Sequence, residues 1–158
     1  TEKFTPLIWF DGTLNNNLTF SMKYNNARTV TLSTSSYQIV EALSNELIVG
    51  MSHKIPEFNK VLGISTKAKG INNDLDIKAD FSHKTIYALL RKIEDVYSQA
   101  TSGTTINSLK VSAAYTLSRS LTLGAYLDQI MNKPLVSATS YKTTTTNFGV
   151  SLKFNLTQ

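Results

Sequence analysis

The sequence predicts an all-β protein of about eight antiparallel, up-and-down strands, of the kind that forms a transmembrane β-barrel. Apolar and polar residues alternate with a period of two through much of the chain, as strands with two different faces require. Charged residues make up 17% of the 158 residues, against roughly 25% in typical soluble domains. The sequence has no run of about 18 apolar residues, so a membrane crossing would have to be made by strands.

Composition narrows the classes of function. The 16 lysines and arginines and 11 aspartates and glutamates give a net charge of +5, but the basic residues form no cluster that would bind nucleic acid. The absence of cysteine excludes disulfides and thiolate metal sites. We treat residues 1–158 as a single domain. The opening TEKFTPLIWF lacks the regions of a signal peptide, so we expect a mature chain or a piece of a longer one.

The first two strands are predicted on either side of an Asn-Asn turn. Residues 16–24 alternate strictly, and the same apolar parity continues back to Ile8. Asn25–Asn26 predicts a turn because asparagine tolerates positive φ. The return strand, residues 29–41, changes phase, which predicts a β-bulge near Ser35–Ser36. The apolar side of the first strand consists of Leu18, Phe20, Met22 and Tyr24.

Two more strands follow a predicted connection at residues 43–45. The strand over residues 46–55 should end at Pro56, which cannot donate a ladder hydrogen bond. Residues 57–73 are predicted to form a longer loop. The next strand, residues 74–82, alternates most clearly. Its apolar side consists of Leu75, Ile77, Ala79 and Phe81, and its polar side of Asp74, Asp76, Lys78 and Asp80.

Residues 84–97 fit either a helix or a strand. Ile86, Leu89, Leu90 and Ile93 have helical spacing. We expect a strand, because counting one here makes short and long connections alternate, as they do in outer-membrane barrels. On that count, short links near residues 43, 83 and 119 lie at one end of the sheet, and long links at 56–73, 94–106 and 131–144 at the other.

The last part of the chain predicts three further strands. Residues 101–105, around Gly103, should form a loop before a strand over 108–117. Ser118–Arg119–Ser120 predicts a tight turn into a strand over 121–128. A loop that contains Asn132 and Pro134 then leads to a final strand over 147–156, preceded by residues 143–146.

The parity of the strands predicts two functional faces. Burying a lysine or arginine in lipid costs roughly 2–4 kcal/mol at mid-membrane, so a lipid-facing parity should exclude charge. A soluble barrel or sandwich would also keep charge off its apolar face, and this alternative stays open. The predicted lipid-facing residues are Leu75, Ile77, Phe81, Leu109, Val111, Phe148 and Val150. The predicted lumen-facing residues are Lys23, Asp76, Lys78, Asp80, Lys110 and Lys153.

Candidates for catalysis or metal binding are few. An enzyme needs a compact set of reactive groups, and the two histidines, His53 and His83, fall near a rim and in a turn. Asp74, Asp76 and Asp80 are spaced about 7 Å apart or more along a strand, too far for one Ca²⁺ site. We therefore expect no enzymatic activity, no cofactor and no metal. The aromatic residues, with Tyr24 and Tyr115 foremost, are candidates for a girdle at the membrane interfaces.

The C-terminal strand carries a further pattern. A polar residue is followed by Gly two positions later and by hydrophobes three and five positions after the Gly. This spacing resembles the terminal β-signal through which outer-membrane proteins are recognised for assembly, and it fits a strand that adds to the edge of another sheet. The four residues are Asn147, Gly149, Leu152 and Phe154.

Four segments together resemble a known family. They are NNNLTFSMKYNNARTVTLSTSSYQIVE, NNDLDIKADFS, LLRKIED and NFGVSLKFNLTQ, and they are similar to the C-terminal end of the SprA/Sov family, the giant outer-membrane translocon of the type IX secretion system of Bacteroidetes. The similarity runs from about Pro6 to Gln158. One departure is Gly50–Met51–Ser52–His53, where the family pattern has a Gly–aromatic ending; the strand parity is unaffected.

The resemblance implies that the chain is the last segment of a far larger barrel, which exports folded cargo proteins and, in gliding bacteria, adhesins. The implied partners are the remainder of the translocon barrel, a PorV-type outer-membrane shuttle protein, a periplasmic plug protein, secreted cargo and outer-membrane lipid. Two alternatives stay open: a self-contained eight-stranded outer-membrane barrel of structural or adhesive role, and a soluble binding sandwich. The small polar residues of the inward parity predict an open segment, because an eight-stranded barrel fills its interior with side chains.

Overall fold

The computed structural model describes residues 1–34, 37–61, 73–92, 98–118, 120–136 and 141–155. Within these residues the chain forms one antiparallel sheet of seven strands, each paired with the next along the chain. The predicted all-β, up-and-down architecture is confirmed, with seven strands in place of about eight. The elements are β1 (Glu2–Thr13), β2 (Leu18–Ser33), β3 (Gln38–Ile55), α1 (Phe58–Val61), β4 (Leu75–Lys92), β5 (Ser98–Thr116), β6 (Leu121–Pro134) and β7 (Thr143–Phe154).

The strands are longer than predicted because two of the expected reversals lie inside one strand pair. Asn25 and Asn26 of β2 stand opposite Glu46 and Asn45 of β3. Asn26 Nδ2 donates to Asn45 Oδ1 at 2.6 Å, and Asn25 Nδ2 donates to Glu46 Oε2 at 3.1 Å. The predicted turn at 25–26 and the predicted connection at residues 43–45 are therefore wrong: these amides bond across the strands.

The first reversals occur elsewhere. The predicted strand that continued from Tyr24 back to Ile8 is divided by a hairpin connection at residues 14–17, closed by Leu14 N–H donating to Leu18 O at 2.8 Å. Asn17 has a φ of 60°, so the tolerance of asparagine for positive φ is used here. The second hairpin connection spans residues 34–37, which explains the change of phase; the bulge predicted at Ser35–Ser36 lies outside the described residues.

The strand assignment for the ambiguous segment is confirmed as far as it is described. Residues 84–92 belong to β4, and residues 93–97 lie outside the described part. The turn predicted near residue 83 and the loop predicted at 101–105 are wrong, because β4 and β5 pair through both positions. β3 ends before Pro56 as predicted.

The predictions for the last strands of the sheet are confirmed in part. A connection separates β5 from β6 at the predicted turn, of which Arg119 is not described. Asn132 and Pro134, predicted in a loop, are the continuation of β6, and Pro134 is its last residue. β7 begins at Thr143, so it takes in the residues predicted to precede the final strand.

The connections do not alternate between short and long in the predicted way. The links at residues 14–17, 56–74 and 117–120 lie at the end of the sheet where β7 ends, because each follows an odd-numbered strand. Thr116 N–H donates to Asp74 O at 3.0 Å, which ties the long link to the short one. The prediction that these two links lie at opposite ends is wrong.

The sheet is open and has no apolar core. No strand pairing joins β7 to β1 among the described residues, and this agrees with the predicted absence of closure within residues 1–158. No hydrophobic residue of the described part is buried. No helix in the described residues is long and apolar enough to cross a membrane.

Candidate functional site

One face of the sheet carries a continuous band of apolar side chains. Directly opposite residues of paired strands share a face, so the pairings can be followed from strand to strand. One row of this band consists of Phe20, Met51, Ala79, Val111, Leu127 and Phe148. We call this side of the sheet the apolar face. It contains each residue predicted to meet lipid: Leu75, Ile77, Phe81, Leu109, Val111, Phe148 and Val150.

The apolar face is uncovered. Phe148 is 72% exposed and Phe81 is 44% exposed. Soluble monomers rarely show apolar patches larger than a few hundred Å², and larger ones mark contact with a membrane or another protein. The described part of the chain provides no second layer that could cover this face.

The apolar band crosses the strands at an angle. In β2 it runs from Leu18 to Tyr24 and is centred on Ser21; in β7 it is centred on Ser151. The row of pairings that starts at Ser151 reaches Lys54 on β3, and the Lys54 N–H donates to Asn17 O. This row therefore meets the chain before β2 at Asn17, four residues before Ser21. The centre of the band is thus displaced along the strands by four residues, or about 13 Å, between β7 and β2, which are five strand spacings, or about 24 Å, apart. The strands are inclined by about 30° to the normal of the band.

The opposite side, which we call the polar face, contains each residue predicted to face the lumen: Lys23, Asp76, Lys78, Asp80, Lys110 and Lys153. Small residues make room for charged ones there. A Cβ on Gly50 would lie 2.5 Å from Asp80 Oδ1 and 2.6 Å from Ser21 Oγ, so the Asp80 carboxylate occupies the space above this glycine. Asp80, Lys110 and Asp128 occupy directly opposite positions on three successive strands.

Apolar residues on the polar face were missed by sequence reasoning. Ile48, Ile106 and Ile130 lie on this face towards the end of the sheet remote from the end of β7. Trp9 shares it, and Lys23 Nζ lies 5.5 Å from the centre of the Trp9 ring. For Ile106 the alternation was hidden by the predicted link at 94–106, whereas Ile48 lies in a predicted strand and is an exception to its polar parity.

The two edge strands differ in how well they could accept a neighbour. β1 contains Pro6 and an irregularity between Phe4 and Ile8. Both features blunt an edge, because proline cannot donate to a ladder and a bulge twists the strand away. β7 has neither, and its described pairings with β6 run without a register shift from Thr143 to Phe154. β7 is therefore the more regular open edge.

The residues of the predicted terminal β-signal all lie in β7. Leu152 and Phe154 are on the apolar face, and Asn147 and Gly149 are on the polar face. Gly149 stands opposite Tyr126, and a Cβ on Gly149 would lie 2.5 Å from atoms of the Tyr126 ring. The Tyr126 ring therefore lies over Gly149, and a side chain at position 149 would require the ring to move.

The long link between β3 and β4 is held at its base. Asn73, 3% exposed, donates from Nδ2 to Leu117 O at 3.3 Å. Lys54 Nζ lies 2.9 Å from Asp74 Oδ2, and Glu57 N–H donates to Asp74 Oδ1 at 3.2 Å. The hydrogen bond from Lys54 is the largest cause that lowers the pKa of Asp74, and the Glu57 N–H adds to it.

The remaining candidate residues are the two histidines, the acidic residues and the two tyrosines. His53 and His83 are both on the apolar face, on neighbouring strands, and His83 Nδ1 lies 2.6 Å from Asn107 Oδ1. Among the described residues, no group of three or more His, Asp or Glu could hold a metal ion. Tyr24 and Tyr115 lie on the apolar face at opposite margins of the band. The centres of the Tyr115 and Phe58 rings lie 5.8 Å apart, and the two rings meet edge to face.

A scan against protein-family models finds no match for the chain, and a search of curated proteins finds no similar sequence.

Proposed function

We propose that this chain is part of the lipid-embedded wall of a large protein-conducting β-barrel in the outer membrane of a Gram-negative bacterium. The observation that carries the proposal is the apolar face, which crosses all seven strands and is covered by nothing in the described part of the chain. In water an exposed band of this size would be unfavourable by about 25 cal/mol for each Å². Lipid hydrocarbon removes that cost.

The inclination of the band supports a membrane. Strands of outer-membrane barrels tilt by about 35–45° from the membrane normal, and the band here implies about 30°. A transmembrane strand needs about 9–11 residues. The strands, at 12 to 19 residues, are long enough to cross the hydrocarbon and continue beyond it.

The polar face and the open edges support a wide lumen. Small and charged residues such as Ser21, Gly50 and Lys78 suit a wall that faces water better than an interior filled by side chains. In lipid each unpaired N–H or C=O costs several kcal/mol, so β1 and β7 require neighbouring strands. We propose that the remainder of a larger barrel supplies them.

The proposal takes the identity of the transported proteins from the resemblance to the SprA/Sov family. On this proposal the barrel exports folded proteins by type IX secretion, including gliding adhesins, together with a PorV-type shuttle protein and a periplasmic plug protein. The chain's role is passage and gating, without covalent chemistry. A self-contained eight-stranded barrel gains no support from the described residues, which form a seven-stranded sheet with no pairing between β7 and β1.

Single cysteines can test which face meets lipid: residues 1–158 contain none of their own, and any cysteine elsewhere in the complete protein would first be replaced by serine. We would place one cysteine at Val111 and, as the matched control, one at the adjacent Ser112, in the complete protein. Each would carry a small fluorophore in vesicles with or without brominated acyl chains. We expect bromine to quench the label at position 111 strongly and the label at position 112 weakly. Equal quenching at the two positions would contradict the lipid assignment.

The same pair tests conduction. A bulky polyethylene-glycol maleimide attached at Ser112→Cys should obstruct the lumen and reduce cargo export by assembled protein. In Val111→Cys the thiol should lie in hydrocarbon, out of reach of the reagent, so the assembled protein should stay unlabelled and export should be unchanged. Unimpaired export with a fully labelled Ser112→Cys protein would argue against a protein-conducting lumen on the polar face, whatever the quenching result.

A further inference from the structure

A patch of polar side chains interrupts the apolar face where β4, β5 and β6 lie side by side. His83 stands directly opposite Asn107, and their Nδ1 and Oδ1 atoms are 2.6 Å apart. One row nearer the band, Gln129 Nε2 donates to Thr146 Oγ1 at 3.4 Å. Because Phe81 shares that row, the patch lies at the margin of the apolar band.

A depression of about 310 Å³ opens at this patch. Its lining combines the apolar side chains of Phe81, Leu109 and Met131 with the amides of Asn107 and Gln129. The apolar residues suit an acyl chain, and the amide N–H groups suit an oxygen-rich headgroup. When Asn107 Oδ1 accepts a hydrogen bond from His83, both N–H groups of the Asn107 amide stay available to a ligand.

A lysine lies close to the depression. Lys133 follows Met131 by two residues on β6, which places it about 7 Å further along the same face. Among the described residues of β4 to β7, no aspartate or glutamate lies on the apolar face; the acidic residues of these strands point to the polar face.

We propose that this patch binds the anionic headgroup of a membrane phospholipid. The acyl chain lies against Phe81, Leu109 and Met131, and the phosphate takes donors from the amides and the charge of Lys133. A phosphate with a net negative headgroup fits because Lys133 offers a cation on the same face, where the described residues of β4 to β7 place no carboxylate, and charge-assisted hydrogen bonds to phosphate are the strong ones. The inference rests on the proposed function, since it requires the apolar face to meet lipid.

Retention of lipid by the complete, detergent-purified protein tests the proposal. We would titrate phosphatidylglycerol and phosphatidylcholine separately and count bound lipids by native mass spectrometry. Lys133→Gln removes the charge, Lys133→Arg keeps it, and Lys110→Gln removes a lysine from the polar face as a control. We expect phosphatidylglycerol to be preferred, and Lys133→Gln to weaken its binding about fivefold. Lys133→Arg and Lys110→Gln should bind as the unchanged protein does.

Three results would overturn the proposal. Equal retention of the two lipids would remove the preference for an anionic headgroup. Unchanged binding in Lys133→Gln would remove the site. Equally tight binding of soluble glycerol phosphate would identify a free-phosphate site without an acyl chain. The quenching experiment at Val111 reports lipid contact independently, so strong quenching together with any of these results would reject this inference and leave the proposed function intact.

Discussion

Arginine substitutions at the adjacent residues Val111 and Ser112 should have opposite consequences for folding. Val111 lies in the middle of an apolar row, between Ala79 of β4 and Leu127 of β6. Ser112 lies on the polar face, opposite Lys78. The two positions share a strand, a depth and a pair of neighbouring strands, so the same substitution isolates the effect of the face.

The structure sets the size of the difference. An arginine on the lipid face near mid-membrane costs about 2–4 kcal/mol, which lowers the folding equilibrium constant roughly 30- to 700-fold. At position 112 the guanidinium stays in water, and repulsion from Lys78 directly opposite costs less than about 1 kcal/mol. Val111→Arg should therefore be less stable than Ser112→Arg by at least about 1 kcal/mol.

Urea unfolding of the complete protein in lipid vesicles measures this difference. If the slope of the transition is unchanged, the shift of its midpoint gives the change in the free energy of unfolding. We expect a large downward shift for Val111→Arg and a small one for Ser112→Arg. Equal shifts, or a larger shift for Ser112→Arg, would refute the assignment of the apolar face to lipid.

Three further predictions concern strand β7 and the link that precedes β4. Deleting Phe154–Gln158 should lower the amount of protein in the outer membrane, measured by fractionation; normal abundance would refute the terminal β-signal. Gly149→Ala should destabilise by about 1–3 kcal/mol through its clash with Tyr126, and adding Tyr126→Ala should relieve most of that loss in a double-mutant cycle. The lowered pKa of Asp74 stabilises the fold fully above the ordinary value of about 3.9, and this contribution is lost progressively as pH falls from there through the lower pKa of the folded state. Lys54→Met should raise the Asp74 midpoint in an NMR titration, and an unchanged midpoint would contradict the ion pair.

The faces were predictable from the sequence because they depend on parity alone. Ile77 and Lys78 take opposite sides wherever the strand around them begins and ends, and the sheet pairings keep that parity across neighbouring strands. The apolar residues of the polar face were missed for two reasons. Ile106 lies in a stretch where a long link was expected, which hides its alternation until β5 is recognised as continuous. Ile48 lies inside the strand predicted over residues 46–55 and is an exception to the polar parity of that strand.

The reversals were not predictable from turn propensity. Asn25–Asn26 and Asn15–Asn17 are both asparagine-rich, and single-sequence reasoning has no means of choosing between them. The choice is made by pairing: Asn26 finds Asn45 across the strands at 2.6 Å, so its amide is satisfied without a turn. The extra reversal expected near residue 83 is why the link at 56–73 was predicted at the end of the sheet opposite to the link near residue 119, although both follow odd-numbered strands.

The inclination of the apolar band separates a membrane from a protein partner better than composition does. A layer of hydrocarbon has one thickness, so its two margins must cross tilted strands along parallel lines, whatever the length of each strand. On β7 the alternation of apolar residues ends at Phe148, and on β3 it ends at Leu47. Both residues lie well inside their strands. Beyond Leu47 the alternation changes, because Asn45 and Glu41 are interspersed with Leu43 on the same face. The oblique course of the apolar row from β3 to β7 is what a layer of one thickness requires of tilted strands, and this supports our proposal that the apolar face meets lipid.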